Sequence, residues 1–290
     1  MAKLRTVTLG GINIRVHPHE TKQVYIDLLK VAHSLKKVIR VRGDQHLMLS
    51  YVSDQDTERL GIIHGTLARF TEIDMDLPWY NLSSLDAANE DDVEQVNIPE
   101  SLKPNFTSFH FAFNLSNHKL AVETKNSRDT LSIRIVKKYL DKLFSDETII
   151  ERFNHPSIDI ISDAENLDQI WKMSTLKNLE ISLQKPNPDL PEDTFEDRIQ
   201  NRMISLNAQK MEQKFKAVPG QSLEPDEETK LLAELAVSNG LVNADGNDID
   251  GNKLEFSSDD HPHFVRERYD PDGLSDWQAF IKGATRLFNL

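Results

Sequence analysis

Glu123 and Lys125 stand two residues apart near the end of a segment, Lys119 to Lys125, that reads as a β-strand. The two-residue period of a strand places both side chains on one face, opposite Leu120 and Val122. Metal-dependent nucleases often carry such a Glu-x-Lys pair: the carboxylate holds a divalent ion such as Mg, and the ammonium steadies the attacking water or the phosphate. That chemistry also needs a second carboxylate from a neighbouring strand. Phe106 to Asn114 offers none, and the nearest upstream acid is Glu100. The plainer expectation is the solvated face of a half-buried antiparallel sheet, where Glu123→Gln shifts stability by well under ~1 kcal/mol.

Histidines form the next candidates. His17 and His19 flank Pro18, and His261 and His263 flank Pro262 beside Asp259 and Asp260, so two His-x-His pairs could share a metal. The alternative is turn residues bonded to backbone. His64-Gly65-Thr66 resembles half of a two-histidine phosphoesterase, but the second half would be His110-Phe111-Ala112, where alanine replaces the required hydroxyl. A calcium loop beginning at Asp245 breaks register, since Ile249 stands fifth and Asp250 occupies the glycine position. Two hairpin turns explain its Asp-Gly pairs.

Lys30, Lys36, Lys37, Arg40 and Arg42 gather positive charge at a helix end and the following strand. They could hold a phosphate backbone or an acidic partner surface, or simply complement the helix dipole. No GxxxxGK, GxGxxG, GxSxG or HExxH is present, so nucleotide-binding, hydrolase-elbow and zincin chemistry lack their signatures.

These candidates sit in a chain of 290 residues with 34 basic and 47 acidic side chains, a net charge of −13 that disfavours whole-protein DNA binding. There is no cysteine, which removes disulfides, thiol catalysis and cysteine metal sites and suits a reducing cytoplasm. Neither a secretory leader nor a membrane-length apolar run is expected, so no membrane partner follows.

The elements that must position the candidates alternate irregularly. A strand over Leu4 to Val16 is followed by a helix over Thr21 to Lys37, with Val24, Leu28, Val31 and Leu35 as its stripe, and by strands at Val38–Arg42, His46–Ser53 and Leu60–Phe70. Leu85 to Glu100 holds six acids and no base, an exposed acidic connector. In the hairpin beyond it, Phe109, Phe111 and Phe113 match Leu120 and Val122 on the core face. A helix from Thr130 to Phe144 covers that face. Strands at Ile158–Ile161 and Leu176–Gln184 follow, with a capping box of Ser162 and Glu165 between them. A long polar helix runs from Pro188 and Pro191 to Met211, a further helix stops at Gly240, and Leu241–Ser258 forms a hairpin before a closing helix from Ser275. The pattern predicts an α+β fold, mostly antiparallel sheet with packed helices. It divides as 1–84, an acidic connector 85–100, and 101–290, or as one continuous unit.

Several phrases carry a resemblance: Ile12-Asn13-Ile14-Arg15-Val16-His17-Pro18-His19, Asn97-Ile98-Pro99-Glu100 through Lys103-Pro104-Asn105, Lys185-Pro186-Asn187-Pro188-Asp189, and Pro219-Gly220-Gln221-Ser222-Leu223. Together they resemble a bacterial family, domain of unknown function 4747. The resemblance implies a bacterial or mobile-element protein with a place in phage defence, and it carries over no catalytic residue. The expected function is a non-catalytic binding or regulatory protein without a cofactor. It would act through a protein partner or its own homo-oligomer and a nucleic-acid contact at the basic patch. The alternative is a Mg-dependent nuclease or phosphodiesterase centred on Glu123 and Lys125.

Overall fold

A computed structural model describes residues 4–17, 21–185 and 194–289. The chain opens with β1 (Arg5–Arg15) and α1 (Gln23–Ser34), then the meander β2 (Ile39–Arg42), β3 (Gln45–Ser53) and β4 (Ile62–Thr71), with the single turn α2 (Thr57–Leu60) before the last strand. An excursion carries β5 (Tyr80–Asn81), β6 (Asp86–Ala87) and α3 (Glu90–Glu94). The hairpin β7 (Thr107–Asn114) and β8 (Lys119–Lys125) follows, then α4 (Ile133–Phe144), α5 (Glu147–Phe153) and β9 (Ser157–Ile160). A second group comprises α6 (Asp168–Trp171), β10 (Thr175–Gln184), α7 (Phe195–Ser205), β11 (Lys210–Lys216), α8 (Glu227–Asn239), β12 (Gly240–Asn247) and β13 (Lys253–Ser257). Finally β14 (Phe264–Tyr269) and α9 (Asp276–Phe288) return to the first group.

The fold is α+β. Its larger sheet has the order β14-β1-β8-β7-β4-β3-β2, with β9 also pairing β1, and its smaller sheet the order β11-β10-β12-β13. All of these pairs are antiparallel. Strand alternation divides the larger sheet into two apolar faces. One carries Ile12, Ile14, Leu67, Phe109, Phe111, Phe113, Leu120 and Val122 against α1, α4 and α5. The other carries Val7, Leu9, Ala112, Ala121 and Val265 against Ala279, Phe280, Ala284 and Leu287 of α9. α9 lies close because Gly283 meets the strand: a Cβ there would stand 2.6 Å from Leu9 Cδ1. The smaller sheet packs Leu179, Ile181 and Val242 against Leu232, Ala233 and Ala236 of α8. Among the described residues no helix is long and apolar enough to cross a membrane.

Several local expectations change. The acidic connector lies within an excursion from one sheet, because β4 before it and β7 after it pair along eight residues, Ile62↔Asn114 to Arg69↔Thr107. None of residues 71–106 is buried, and α3 forms there on a capping box of Asn89 and Asp92. The polar helix expected through Met211 ends at Ser205, and Lys210–Lys216 is instead an edge strand on β10; its expected start at Pro188 and Pro191 lies outside the described residues. Asp163, not Ser162, caps the turn before α6, its side chain accepting from Glu165 N at 3.1 Å. Of the two Asp-Gly pairs, Asp245-Gly246 lies inside β12, and only Asp248 to Asn252 turns the chain, with Asn252 N donating to Asp248 Oδ1 at 2.8 Å.

Candidate functional site

β8 separates the pair that was expected to share a face. Its register with β1 shifts between Leu9↔Glu123 and Thr8↔Lys125, so Thr124 is an extra residue on β8. Paired residues share a face, and a bulge re-aims the side chains that follow it. Glu123 therefore lies with Leu9 under α9, whereas Lys125 lies with Thr8 on the opposite side. The Glu-x-Lys spacing assumes an unbroken period of two, which the bulge interrupts.

Glu123 is also not on a solvated face: it is only 3% exposed. Its carboxylate accepts from His110 N at 3.0 Å and from Asn126. Burial nevertheless pushes its pKa up from 4.5 to about 7, with the charge of Asp276 adding to the rise. Asp276 is itself engaged, accepting from Tyr269 Oη at 2.7 Å and facing Arg5 at 3.6 Å. Among the described residues no three of His, Asp or Glu stand close enough to hold a metal. The surroundings of Glu123 do not fit Mg, which keeps several waters: the carboxylate is buried and already takes amide donors from His110 and Asn126.

The two histidines of the phosphoesterase comparison do come together, on β4 and β7 beneath Trp277, whose ring centroid lies 4.8 Å from His64 and 5.2 Å from His110. Burial lowers the pKa of His110, which also touches Phe280. His64 Nε2 meets Asp56 Oδ2 at 3.2 Å, and Asp56 is shared with Arg59. One hydroxyl such chemistry needs is engaged elsewhere, Thr66 Oγ1 bonding Ser50 Oγ at 2.9 Å, and the second is absent at Ala112. Gly65 is required by packing: a Cβ there would stand 2.0 Å from Tyr51 O and 2.7 Å from the Phe111 ring. The cluster is a ring-covered histidine pair. Trp277 and Asp276 were missed in the sequence because only tertiary contact brings α9 here.

The other candidate histidine site is not brought together among the described residues. His17 Nε2 bonds Lys185 O at 3.2 Å, His261 stacks on Phe256, and His19 lies outside the described residues. His263 N donates to Ile161 O, and Ile161 N to Gly11 O, which places His263 near Gly11. Six further residues of extended chain, about 20 Å, separate that point from His17.

Within the basic patch, Lys30 pairs with Asp54, Lys37 with Asp146, and Arg40 with Asp44 at 3.6 Å. Lys36 and Arg42 have no such partner among the described residues. Two lysines from α4 join them: Lys138 Nζ donates to Val41 O at 2.8 Å and Lys142 Nζ to Arg40 O at 3.2 Å. Both satisfy carbonyls on the open edge of β2, a position where lysine also discourages pairing with another sheet.

The model of one protein family, described as Domain of unknown function (DUF4747), matches residues 5–285. The chain belongs to that DUF4747 family. No curated protein matches it. Three of the phrases that carry the DUF4747 resemblance contribute joints of the fold, whereas residues 186–189 of the remaining phrase lie outside the described residues. Asn13 Nδ2 and Arg15 bond Asn239 Oδ1 at 3.0 and 3.2 Å, and fully buried Arg15 pairs with Asp159, tying β1 to α8. Burial lowers the Arg15 pKa to about 10. Lys103 Nζ reaches Glu72 at 2.7 Å and Pro104 O accepts from Thr71 N at 2.9 Å, closing the base of the acidic excursion. Ser222 Oγ accepts from Leu176 N at 2.9 Å, pinning its loop to β10.

Proposed function

We propose that this DUF4747 protein is a cytoplasmic, non-catalytic binding protein that contacts a nucleic-acid backbone at the β2 edge. The observation that carries the reading is the convergence of Lys138 and Lys142 of α4 on the strand that already bears Arg40 and Arg42. Electrostatic contact with phosphates needs clustered cations and no preformed pocket, so a local patch suffices in a chain of net charge −13. The reading assigns protein contacts to the acidic excursion, where large apolar side chains such as Leu82, 80% exposed, stand free of the core.

The test is fluorescence anisotropy with a labelled DNA duplex of about 20 base pairs over a range of salt. Combined charge reversal at Lys36, Lys37 and Arg40 should weaken binding at least ~10-fold and lower the salt slope by about 3. A parent that does not bind, or a triple variant with unchanged affinity and slope, would reject the surface.

A further inference from the structure

The bulge that removes Lys125 from Glu123 delivers it to a different place. Lys125 lines a cleft of about 570 Å³ between the β14–β1–β8 end of the larger sheet and the loop that leads into α4. Register defines its floor: Thr8 pairs with Arg266 and Thr6 with Arg268, all on the face opposite α9, and Phe264 pairs with Gly10 on the same face. The α4 end of the cleft adds Ser132. Helix packing begins only at Gly10, where a Cβ would stand 3.2 Å from Ile133, and among the described residues no helix covers the sheet beyond it.

The chemistry of this cleft differs from that of the chain as a whole. Acids outnumber bases 47 to 34 in the sequence, yet among the described residues no carboxylate lines the cleft. Lys125, Arg266 and Arg268 have no side-chain ion pair or hydrogen bond among the described residues, whereas Lys30, Lys37 and Arg40 at the β2 edge are each matched by an aspartate. Leaving cations unmatched beside hydroxyl groups suits an anion that brings several acceptor oxygens. Phe264 is 43% exposed in the same cleft, an apolar ring open to solvent. Cations along a groove beside an open aromatic face are the two elements of single-strand recognition, phosphates on the former and a base stacked on the latter. Arg268 continues the row past the cleft toward the end of the sheet, which fits a chain of phosphates better than a single one.

We infer that this cleft binds single-stranded nucleic acid, with phosphates on Lys125, Arg266 and Arg268 and a base against Phe264. The site lies at the opposite edge of the sheet from β2 and does not depend on the duplex contact proposed there.

The experiment uses the full chain and a labelled oligothymidylate of about 12 nucleotides at roughly 50 and 200 mM salt, read by anisotropy. Lys125→Glu with Arg266→Glu should weaken binding at least ~10-fold and reduce the salt slope by about 1 to 2. Phe264→Ala should weaken it about 5- to 100-fold with little change in slope, as loss of one stacked base does. Lys125→Gln with Arg266→Gln repeats the test without introducing repulsion, and urea midpoints equal to the parent's show that the fold is intact. Charge reversal at Lys36, Lys37 and Arg40 should leave oligothymidylate binding within about 3-fold of the parent. The inference is overturned by a parent that does not bind the oligonucleotide, by cleft variants that bind as the parent does, or by thymidine monophosphate competing as well as the strand, which would make the ligand a free nucleotide.

Discussion

The two faces of the β7–β8 hairpin are both covered, yet they are built from different materials. One presents Phe109, Phe111, Phe113, Leu120 and Val122 to α1 and α4, all within a single apolar cluster. The other sets Ala112 and Ala121 beside His110 and Glu123 and covers them with Trp277 and Phe280 of α9. Apolar burial stabilises wherever it occurs, whereas an ionisable group on a covered face is tolerated only in its neutral form or at a cost. Glu123 with its pKa raised and His110 with its pKa lowered are both pushed toward neutrality by the same burial. Perturbed titration at this site is thus a product of packing, and geometry has to decide whether it is also chemistry.

Truncating the apolar face should have the largest effect: Phe111→Ala should cost about 3–5 kcal/mol in urea denaturation, as deep aromatic truncations do. Neutralising the mixed face should act in the opposite direction. Below the ordinary glutamate value of 4.5, Glu123 is protonated in both folded and unfolded chains and costs nothing. As pH rises toward 7 the unfolded chain ionises first, so stability falls, and above 7 the loss is complete. Glu123→Gln should therefore be more stable than the parent near pH 8 by on the order of 2–3 kcal/mol and no different near pH 4. This replaces the near-neutral outcome expected for a solvated face. Gly65→Ala, which forces a methyl toward Tyr51 O and the Phe111 ring, should cost about 1–3 kcal/mol. His110→Asn should flatten the acid limb of the stability profile, because the unfolded chain takes up that proton first as pH falls through 6.5. Lys125→Ala, removed from Glu123 by the bulge, should stay within about 0.5 kcal/mol of the parent.

The apolar face was legible in the sequence because period two in Phe109, Phe111 and Phe113 is a local signal, and the helix expected to cover it forms as α4, though its buried stripe runs through Ile133, Val136, Tyr139 and Leu143. The mixed face was not. Its cover comes from α9, some 150 residues along the chain, and nothing within Lys119–Lys125 announces it. The bulge at Thr124 is equally silent, being set by the pairing of β8 with β1. β14 did carry a signal, Val265, Glu267 and Tyr269 in alternation, but the inward glutamate disguised it; Glu267 is buried against Lys282 and Arg286 of α9. β11 was lost for the opposite reason. Its residues are polar and mostly exposed, so little apolar alternation distinguishes it from the helix before it.

The central claim is that Glu123 is a carboxyl whose burial under α9, and not a bound metal, sets its behaviour, holding it neutral below about pH 7. Urea midpoints of the parent and of Glu123→Gln, taken from about pH 4 to pH 8 with and without magnesium, test it most directly. The account predicts that the variant is the more stable protein at the upper end, that the two converge at the lower end, and that magnesium moves neither. A magnesium-dependent rise in the parent that disappears in Glu123→Gln would contradict it.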